Sequence, residues 1–281
     1  MPSTLLTCTS STRPASPNAG DTLFETDTKK IITSDGTHWY LYEYDGTTGF
    51  SNTHSVTLDG TNQSVELGTS SSTLFNFGTN DFSLSIWYKP HAVGNYFNLW
   101  SGHTGGGWLM YVGSGGALGF YGDNYTALPS VGSATVNGWN HGAVVRTSTK
   151  VKIYLNGSKI VEDTIASTAV FNKASSNIVG MGATGSNTAY NGEVDEAALW
   201  NSALSDGGVS TGATAGGDIA TIYNSGVPND ISAMTPIGWW RMGETDSGTG
   251  TVVTDIGAGV GGTKLNGALT NGASFVTDVP T

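Results

Sequence analysis

Lys150-Val-Lys-Ile-Tyr-Leu-Asn-Gly-Ser-Lys-Ile-Val-Glu162 is the stretch on which the fold reading turns. Its first six residues alternate: Val151, Ile153 and Leu155 point one way, Lys152 and Tyr154 the other, the period-two pattern of a strand with one buried face. Asn156-Gly157 follows, a pair that takes the positive φ angles of a two-residue hairpin loop at little steric cost. Residues 158–162 then form the return strand. An isolated hairpin is marginal in water, so this one needs a larger sheet around it.

Working outward, the same alternation recurs on both sides. Residues 82–88 place Phe82, Leu84, Ile86 and Tyr88 on one face. Further strands are predicted at 55–58, followed by the turn Asp59-Gly60, and at 63–67, 96–100, 108–112, 117–121 and 139–146. Beyond the hairpin they continue at 177–182, 192–200, 237–242 and 274–277. Helix is confined to 218–223, expected to be capped by the Asp218 side chain and stopped at Gly226, with Pro228 just beyond. Residues 205–217 lack an apolar pattern and read as a surface loop. A dozen short strands at this spacing imply an all-β protein, two antiparallel sheets packed face to face as a jelly-roll sandwich.

Composition agrees. Gly is 41 of 281 residues and charged residues are only 12%, which alone would suit a disordered chain. The 8 Trp, 11 Tyr and 9 Phe argue for a packed core instead, because disordered segments are poor in aromatics. Eleven Lys and Arg against 22 Asp and Glu give a net charge of −11, which repels phosphate backbones and argues against nucleic-acid binding. No apolar run approaches the length of a membrane span. The opening MPSTLLTCTSS lacks the basic start and long apolar core of a secretory signal, and the single Cys8 excludes an intrachain disulfide. The expectation is therefore a chain that stays in the cytoplasm or leaves it without a signal, as in a particle released by lysis.

Residues 1–49 read differently from the rest. Arg13, Pro14 and Pro17 lie in an extended stretch, followed by a hairpin at 30–33 and 37–44 turning at Asp35-Gly36. Trp39 and Leu41 share one face, Tyr40, Tyr42 and Tyr44 the other, so both faces are largely aromatic. Such a hairpin should bury a face against something: the main domain, copies of itself, or a host structure. Residues 1–49 are read as an attachment or oligomerisation segment using Arg13, Pro14, Phe24, Trp39, Tyr40 and Tyr42, the alternative being a plain extension of the sandwich.

Residues 81–90 (DFSLSIWYKP), 139–146 (WNHGAVVR), 151–157 (VKIYLNG) and 192–201 (GEVDEAALWN), in that order, resemble the laminin-G-like, concanavalin-A-like jelly-roll family. The resemblance makes residues 50–281 a laminin-G-like β-sandwich. Two flanks narrow it. Thr12-Arg-Pro14, Gly20-Asp21, 24–28 and 35–39 are similar to a segment recurring near the ends of bacteriophage fibre and virion proteins. Residues 226–230, 239–244, 269–272 and 277–280 resemble the tail of laminin-G-like proteins from marine phages. A stretch like 264–274 usually precedes the sandwich but here closes the chain, which implies a permuted order with the last strand pairing near the first.

The family includes glycoside hydrolases, whose retaining members set two carboxylates roughly 5 Å apart across the scissile bond. The related enzymes draw both from one Glu-x-Asp-x-Glu strand. Here the run is Glu193-Val-Asp-Glu-Ala-Ala198. Strict alternation puts Glu193 and Asp195 on one face, Ala197 where the second Glu should be, and Glu196 on the other face. The chain is therefore not expected to be an enzyme, and no cofactor is required. Relatives often hold a structural Ca²⁺, a hard cation suited to carboxylate and backbone oxygens. Asp59 and Asp195 are the positions this implies, against the alternatives of an Asx turn at Asp59 and an internal pairing of Asp195. For a sugar, stacking rings and hydroxyl-binding amides and carboxylates are supplied by Trp108, Tyr121, Asp123, Asn124 and Tyr125 in neighbouring hairpins.

Together these readings imply a phage virion structural protein on the particle surface, as capsid decoration or fibre head. Its expected partners are other virion proteins, sister copies in a homo-oligomer (a trimer favoured) and host-surface glycans, with no membrane insertion. The alternative is a free carbohydrate-binding, lectin-like module. A third reading, a degenerate hydrolase, needs a second carboxylate brought to face Glu193.

Overall fold

In the computed structural model, which describes residues 6–27, 30–42, 50–68, 72–93, 97–101, 107–122, 131–173, 177–180 and 189–281, the chain divides into two units, Met1–Ser51 and Asn52–Thr281. The first unit is a four-stranded sheet. Its strands are β1 (Leu6–Cys8), β2 (Ala19–Glu25), β3 (Lys30–Asp35) and β4 (Trp39–Tyr42), paired in that order. β1 runs parallel to β2 and the other pairs are antiparallel. β3 and β4 form the expected hairpin, with Gly36 at φ 94° in its turn. β1 and β2 are not among the strands read from the sequence, since neither segment shows a clean alternation.

The second unit is the predicted sandwich. Its strands follow in chain order: β5 (Ser55–Asp59), β6 (Ser64–Leu67), β7 (Phe82–Pro90), β8 (Phe97–Ser101), β9 (Trp108–Val112), β10 (Leu118–Gly122) and β11 (Asn140–Thr147). They continue with β12 (Lys150–Leu155), β13 (Ser158–Thr164), β14 (Asn177–Val179), β15 (Asn191–Trp200), β16 (Gly238–Trp240), β17 (Val252–Val253), β18 (Gly267–Thr270) and β19 (Ser274–Val276). One sheet runs β13-β12-β11-β7-β15-β5-β19, with β16 also on β15; the other runs β10-β9-β8-β14-β6-β18-β17. All pairings within both are antiparallel. The Asn156-Gly157 loop closes β12 onto β13 with φ angles of 49° and 73°. That is the turn geometry for which the pair was read.

The last strands pair beside the first, as expected. β19 pairs with β5, Phe275 opposite Val56, and β18 pairs with β6, Leu269 opposite Val65. The C-terminal hairpin thus completes both sheets beside their first strands.

Between the sheets lies an aromatic core. Phe82, Phe120, Phe171, Trp100, Trp108 and Trp240 are all buried there, and Phe77 stacks on Phe82 with ring centroids 4.1 Å apart. Each large ring removes on the order of 150–250 Å² from water. The far face of the first sheet is buried as well, under helix α1 (Gly217–Tyr223). Ile219 and Ile222 are buried on it, and the Tyr223 ring lies 6.1 Å from Trp87 and 5.9 Å from His141. Asp218 does not cap this helix as expected. Gly216 stands at the N-cap, while the Asp218 carboxylate accepts a bond from Ser205 N–H (2.8 Å) and its own N–H donates to the Ser205 hydroxyl (3.2 Å).

Candidate functional site

Three groups of polar side chains sit on that helix-covered face of the first sheet, and strand β15 supplies two side chains, Asp195 and Glu196, of the first. Its alternation is broken by a bulge. Asp195 lies opposite Trp87 and Ala198 opposite Ser85, so three steps on β15 match two on β7. The extra residue is absorbed at Glu196, whose φ is +46°. Such a bulge changes which face the following residues meet. Val194, Ala197 and Leu199 all face the core, leaving Asp195 and Glu196 together on the opposite face. This corrects the expectation that Glu196 points to the other side from Asp195, which assumed an unbroken period of two.

Asp195, Glu196 and Glu244 each bring a carboxylate oxygen within 4.8 Å of the other two. Asp195 and Glu196 are buried. Asp195 accepts bonds from the Asn52 amide (2.8 Å) and from Glu196 N–H (2.7 Å). Glu196 accepts from the Trp239 indole (2.6 Å) and from Arg241 Nε (2.8 Å). One oxygen of Glu244, in the turn after β16, takes the backbone N–H groups of Thr53 and His54 at 2.7 and 2.6 Å. Burial raises the Asp195 carboxyl well above its usual range, and repulsion from Glu196 and Glu244 adds to the effect. Burial likewise lifts Glu196 to about 7, against the pull of Arg241 and Trp239. Glu193 stands apart, its carboxylate 2.8 Å from His91 Nε2 and 3.3 Å from the Thr57 hydroxyl.

The bulge restores a close carboxylate pair, but not an accessible one. The space beside Glu196, bounded by Ser85, Trp87, Ile222, Pro228, Asn229 and Ile231, amounts to about 10 Å³. That is about one water, not a sugar ring.

The second group lines the open edge of the same sheet. Lys152 and Lys159 converge on Asp206 at 3.1 and 3.2 Å, and Lys159 also meets Glu162 at 2.7 Å. Lys150 pairs with the other Glu162 oxygen. Asp206 further accepts from the Tyr154 hydroxyl (2.8 Å) and Gly208 N–H (3.0 Å). Burial would raise Asp206, but these bonds outweigh it and hold the carboxyl below its usual range. Bonds from Lys150 and Lys159 pull Glu162 to about 2. The predicted surface loop is therefore anchored at Asp206. It is also laced to β13 by Lys159 N–H to Ala213 O (3.0 Å) and Gly212 N–H to Lys159 O (2.7 Å). Loop and strands enclose a cleft of about 540 Å³, lined by the three lysines, Glu162, Thr147 and residues 208–211. Alternation put Lys152 and Tyr154 on one face, but nothing local to residues 205–211 showed that Asp206 would meet them.

The third group is a buried histidine. His141 Nε2 lies 2.8 Å from the Ser85 hydroxyl beneath Trp87 and Tyr223, and burial pushes its pKa down to about 3, so the ring stays neutral.

Of the sugar-site residues read from sequence, Trp108 is buried in the core with its indole donating to Phe75 O at 3.3 Å. It cannot stack on a ligand, because it lies on the inward face of β9. Tyr121 is half-buried on β10, and Asp123, Asn124 and Tyr125 lie outside the described residues. Asp59 is exposed in its turn, accepting from Thr61 N–H at 2.8 Å, apart from the acidic cluster that includes Asp195. In the first unit, Arg13 pairs with the buried Glu25, and the Trp39 indole donates to Pro14 O at 2.8 Å. Phe24 is half-buried; Tyr40 and Tyr42 lie on β4, their side chains outside the described residues.

Two antiparallel sheets packed face to face define a jelly-roll β-sandwich. The chain belongs to the Laminin_G_3 family of the concanavalin A-like lectin/glucanases superfamily, whose profile matches residues 59–210, just over half of the sequence. Among solved structures it is similar to a candidate carbohydrate-binding protein from Bacteroides ovatus, with a TM-score of 0.60 at 15% identity, covering 89% of this chain and 68% of that one. Domain 4 of a GH43 extracellular arabinanase from Geobacillus stearothermophilus, in complex with arabinotriose, aligns over 54% of this chain and 72% of its own at 18% identity (TM-score 0.44). A sialidase CBM40 from Ruminococcus gnavus bound to α2,3-sialyllactose aligns over 54% and 91% at 15% identity (TM-score 0.43). No curated protein matches the sequence. At these identities the likeness is one of fold.

Proposed function

We propose that the chain is a carbohydrate-binding module and that the lysine-lined cleft between β12, β13 and residues 208–211 is where it holds the glycan. The observation that carries this reading is the cleft itself. Its volume of about 540 Å³ falls within the span of small-ligand sites. Its walls offer ammonium donors, a carboxylate and the Thr147, Ser210 and Thr211 hydroxyls, complementary to the hydroxyls of a sugar. Three lysines against Glu162 and Asp206 leave one positive charge in a chain whose net charge is −11. Acidic sugars therefore rank ahead of neutral ones. The structural likeness to a candidate carbohydrate-binding protein supports the same reading. Display on a virion surface rests on the short flanking sequences alone.

The test is a glycan array followed by calorimetry on the best ligand, comparing the wild type with Ser210→Trp and Thr211→Trp. Both positions are exposed, so a large ring there fills the cleft without disturbing the core. Loss of binding in both variants, with unchanged melting, supports the reading. Undiminished binding places the glycan elsewhere, and no binding by the wild type across acidic and neutral glycans overturns it.

A further inference from the structure

On the reading of the lysine-lined cleft as the glycan site, we propose that Glu162 stands in for the ligand's own acidic group, and that the sugars taken there carry a carboxylate. The two carboxylates of the lysine cluster are held very differently. Asp206 is 5% exposed and fixed from both sides, by the Lys152 and Lys159 ammoniums, the Tyr154 hydroxyl and Gly208 N–H. Glu162 is 23% exposed, and among the described residues only Lys150, on one oxygen, and Lys159, on the other, hold it. Glu162 also lines the cleft, which Asp206 does not.

The pairing defines what can replace it. One carboxylate spans two ammoniums, one oxygen to each. A ligand carboxylate presents the same planar pair of oxygens and remakes both charge-assisted bonds when Glu162 turns away. β13 is the outermost strand of its sheet, so rotation about the Glu162 side-chain bonds carries its carboxylate toward water. The exchange conserves charge at the lysines, since one carboxylate leaves as another arrives. Lys159 keeps Asp206 throughout, so its nearly enclosed ammonium is never stranded. A neutral sugar offers only hydroxyls in place of the charge it displaces. The cost of the stand-in is affinity, because only the fraction of chains with Glu162 turned away is competent to bind.

The test titrates the full chain by calorimetry with glucuronate, trigalacturonate and α2,3-sialyllactose, each beside its neutral counterpart, and with sulfated lactose. The wild type should bind a carboxylated probe more tightly than its counterpart. Glu162→Gln and Glu162→Ala should tighten that binding roughly tenfold, less at high salt, and leave the neutral sugar unchanged. Melting curves establish that the variants fold. A second readout needs no variant: in wild type carrying ¹³C-labelled glutamate, the Glu162 carboxyl titrates at about 2. Saturation with the carboxylated probe should move it toward the ordinary value of about 4.3. Unchanged affinity in both variants, or a Glu162 titration indifferent to bound ligand, overturns the stand-in role and leaves the cleft to be judged by Ser210→Trp and Thr211→Trp. Sulfated lactose bound more tightly than every carboxylated probe overturns the assignment to carboxylates. No binding of any probe by wild type or variants overturns the cleft reading and the stand-in together.

Discussion

Two clusters of carboxylates sit on the same covered face of the same sheet, and they solve opposite problems. At the sheet edge, Glu162 and Asp206 meet three lysines and a tyrosine hydroxyl, and both are held below the usual carboxylate range. At the β15 bulge, Asp195, Glu196 and Glu244 share one arginine, and Asp195 and Glu196 are pushed upward. Burial acts on both clusters in the same direction; the supply of countercharge sets the sign of the outcome. The edge cluster carries its own countercharge, and the bulge cluster is short of it.

The largest effect expected from this contrast is at Asp206. Lys159 beside it is only 3% exposed, so Asp206→Ala leaves an enclosed ammonium with Glu162 alone. Breaking a buried pair from one side costs about 3–5 kcal/mol, and the Gly208 and Tyr154 bonds are lost with it. Urea unfolding measures this directly. A cost under about 1 kcal/mol means that water reaches the cluster and the edge is not a closed network.

A pH series sharpens the comparison through His141, a buried base on this face whose pKa is driven down, to about 3. The unfolded chain binds a proton there below about 6.5, and the folded chain does not until about 3. Stability from this residue is therefore complete above about 6.5 and falls by up to about 1.4 kcal/mol per pH unit as the pH drops toward 3. Raised acids on the same face, Asp195 and Glu196, contribute the opposite slope, since they hold protons when folded that they release when unfolded. The difference between wild type and His141→Gln isolates the histidine, and that difference should grow steadily from pH 6.5 to 4.5. A flat difference means that the ring is protonated in place.

How much of this was legible in the sequence follows the range of the interactions. The sheets were legible because Val151, Ile153 and Leu155, or Phe82, Leu84 and Ile86, record their burial in local alternation. The C-terminal hairpin was legible because residues 264–274 sit in an unfamiliar place in the chain. The bulge was not. Asp195-Glu196-Ala197 alternates as well as any strand, and only pairing with Trp87 and Ser85 shows the extra residue. Trp108 misled for a related reason: a tryptophan beside a glycine-rich turn has the composition of a sugar platform, but strand direction sends it into the core. Glu244 and Asp206 lie in segments without a pattern, so their partners across the fold, 47 and more residues away in the chain, left no local trace.

Smaller effects separate the clusters further. Asp195→Asn removes one of three mutually repelling acids while keeping an oxygen for Glu196 N–H and turning an N–H toward Asn52, whose amide flips to accept it. Unfolding free energy should rise by about 1 kcal/mol or stay level, opposite in sign to the Asp206 result. A loss of 3 kcal/mol or more would falsify the view that this cluster is short of countercharge.

The smallest expected change in stability is at Lys150, and it bears most directly on function. Its side chain is 45% exposed, against 3% for Lys159, although both reach Glu162. An ion pair this open contributes about 0–1 kcal/mol, so Lys150→Ala should barely move the unfolding curve. The same ammonium faces the cleft, where an acidic sugar would find it unencumbered by the fold's own needs. Affinity for such a glycan should drop several-fold in Lys150→Ala, and more steeply at low salt than at high, as expected for a charge screened over about a Debye length. A lysine that matters to the ligand and not to the fold is the signature of a binding surface. If Lys150→Ala changes neither, the edge lysines belong to the architecture alone and the glycan must be sought on another face.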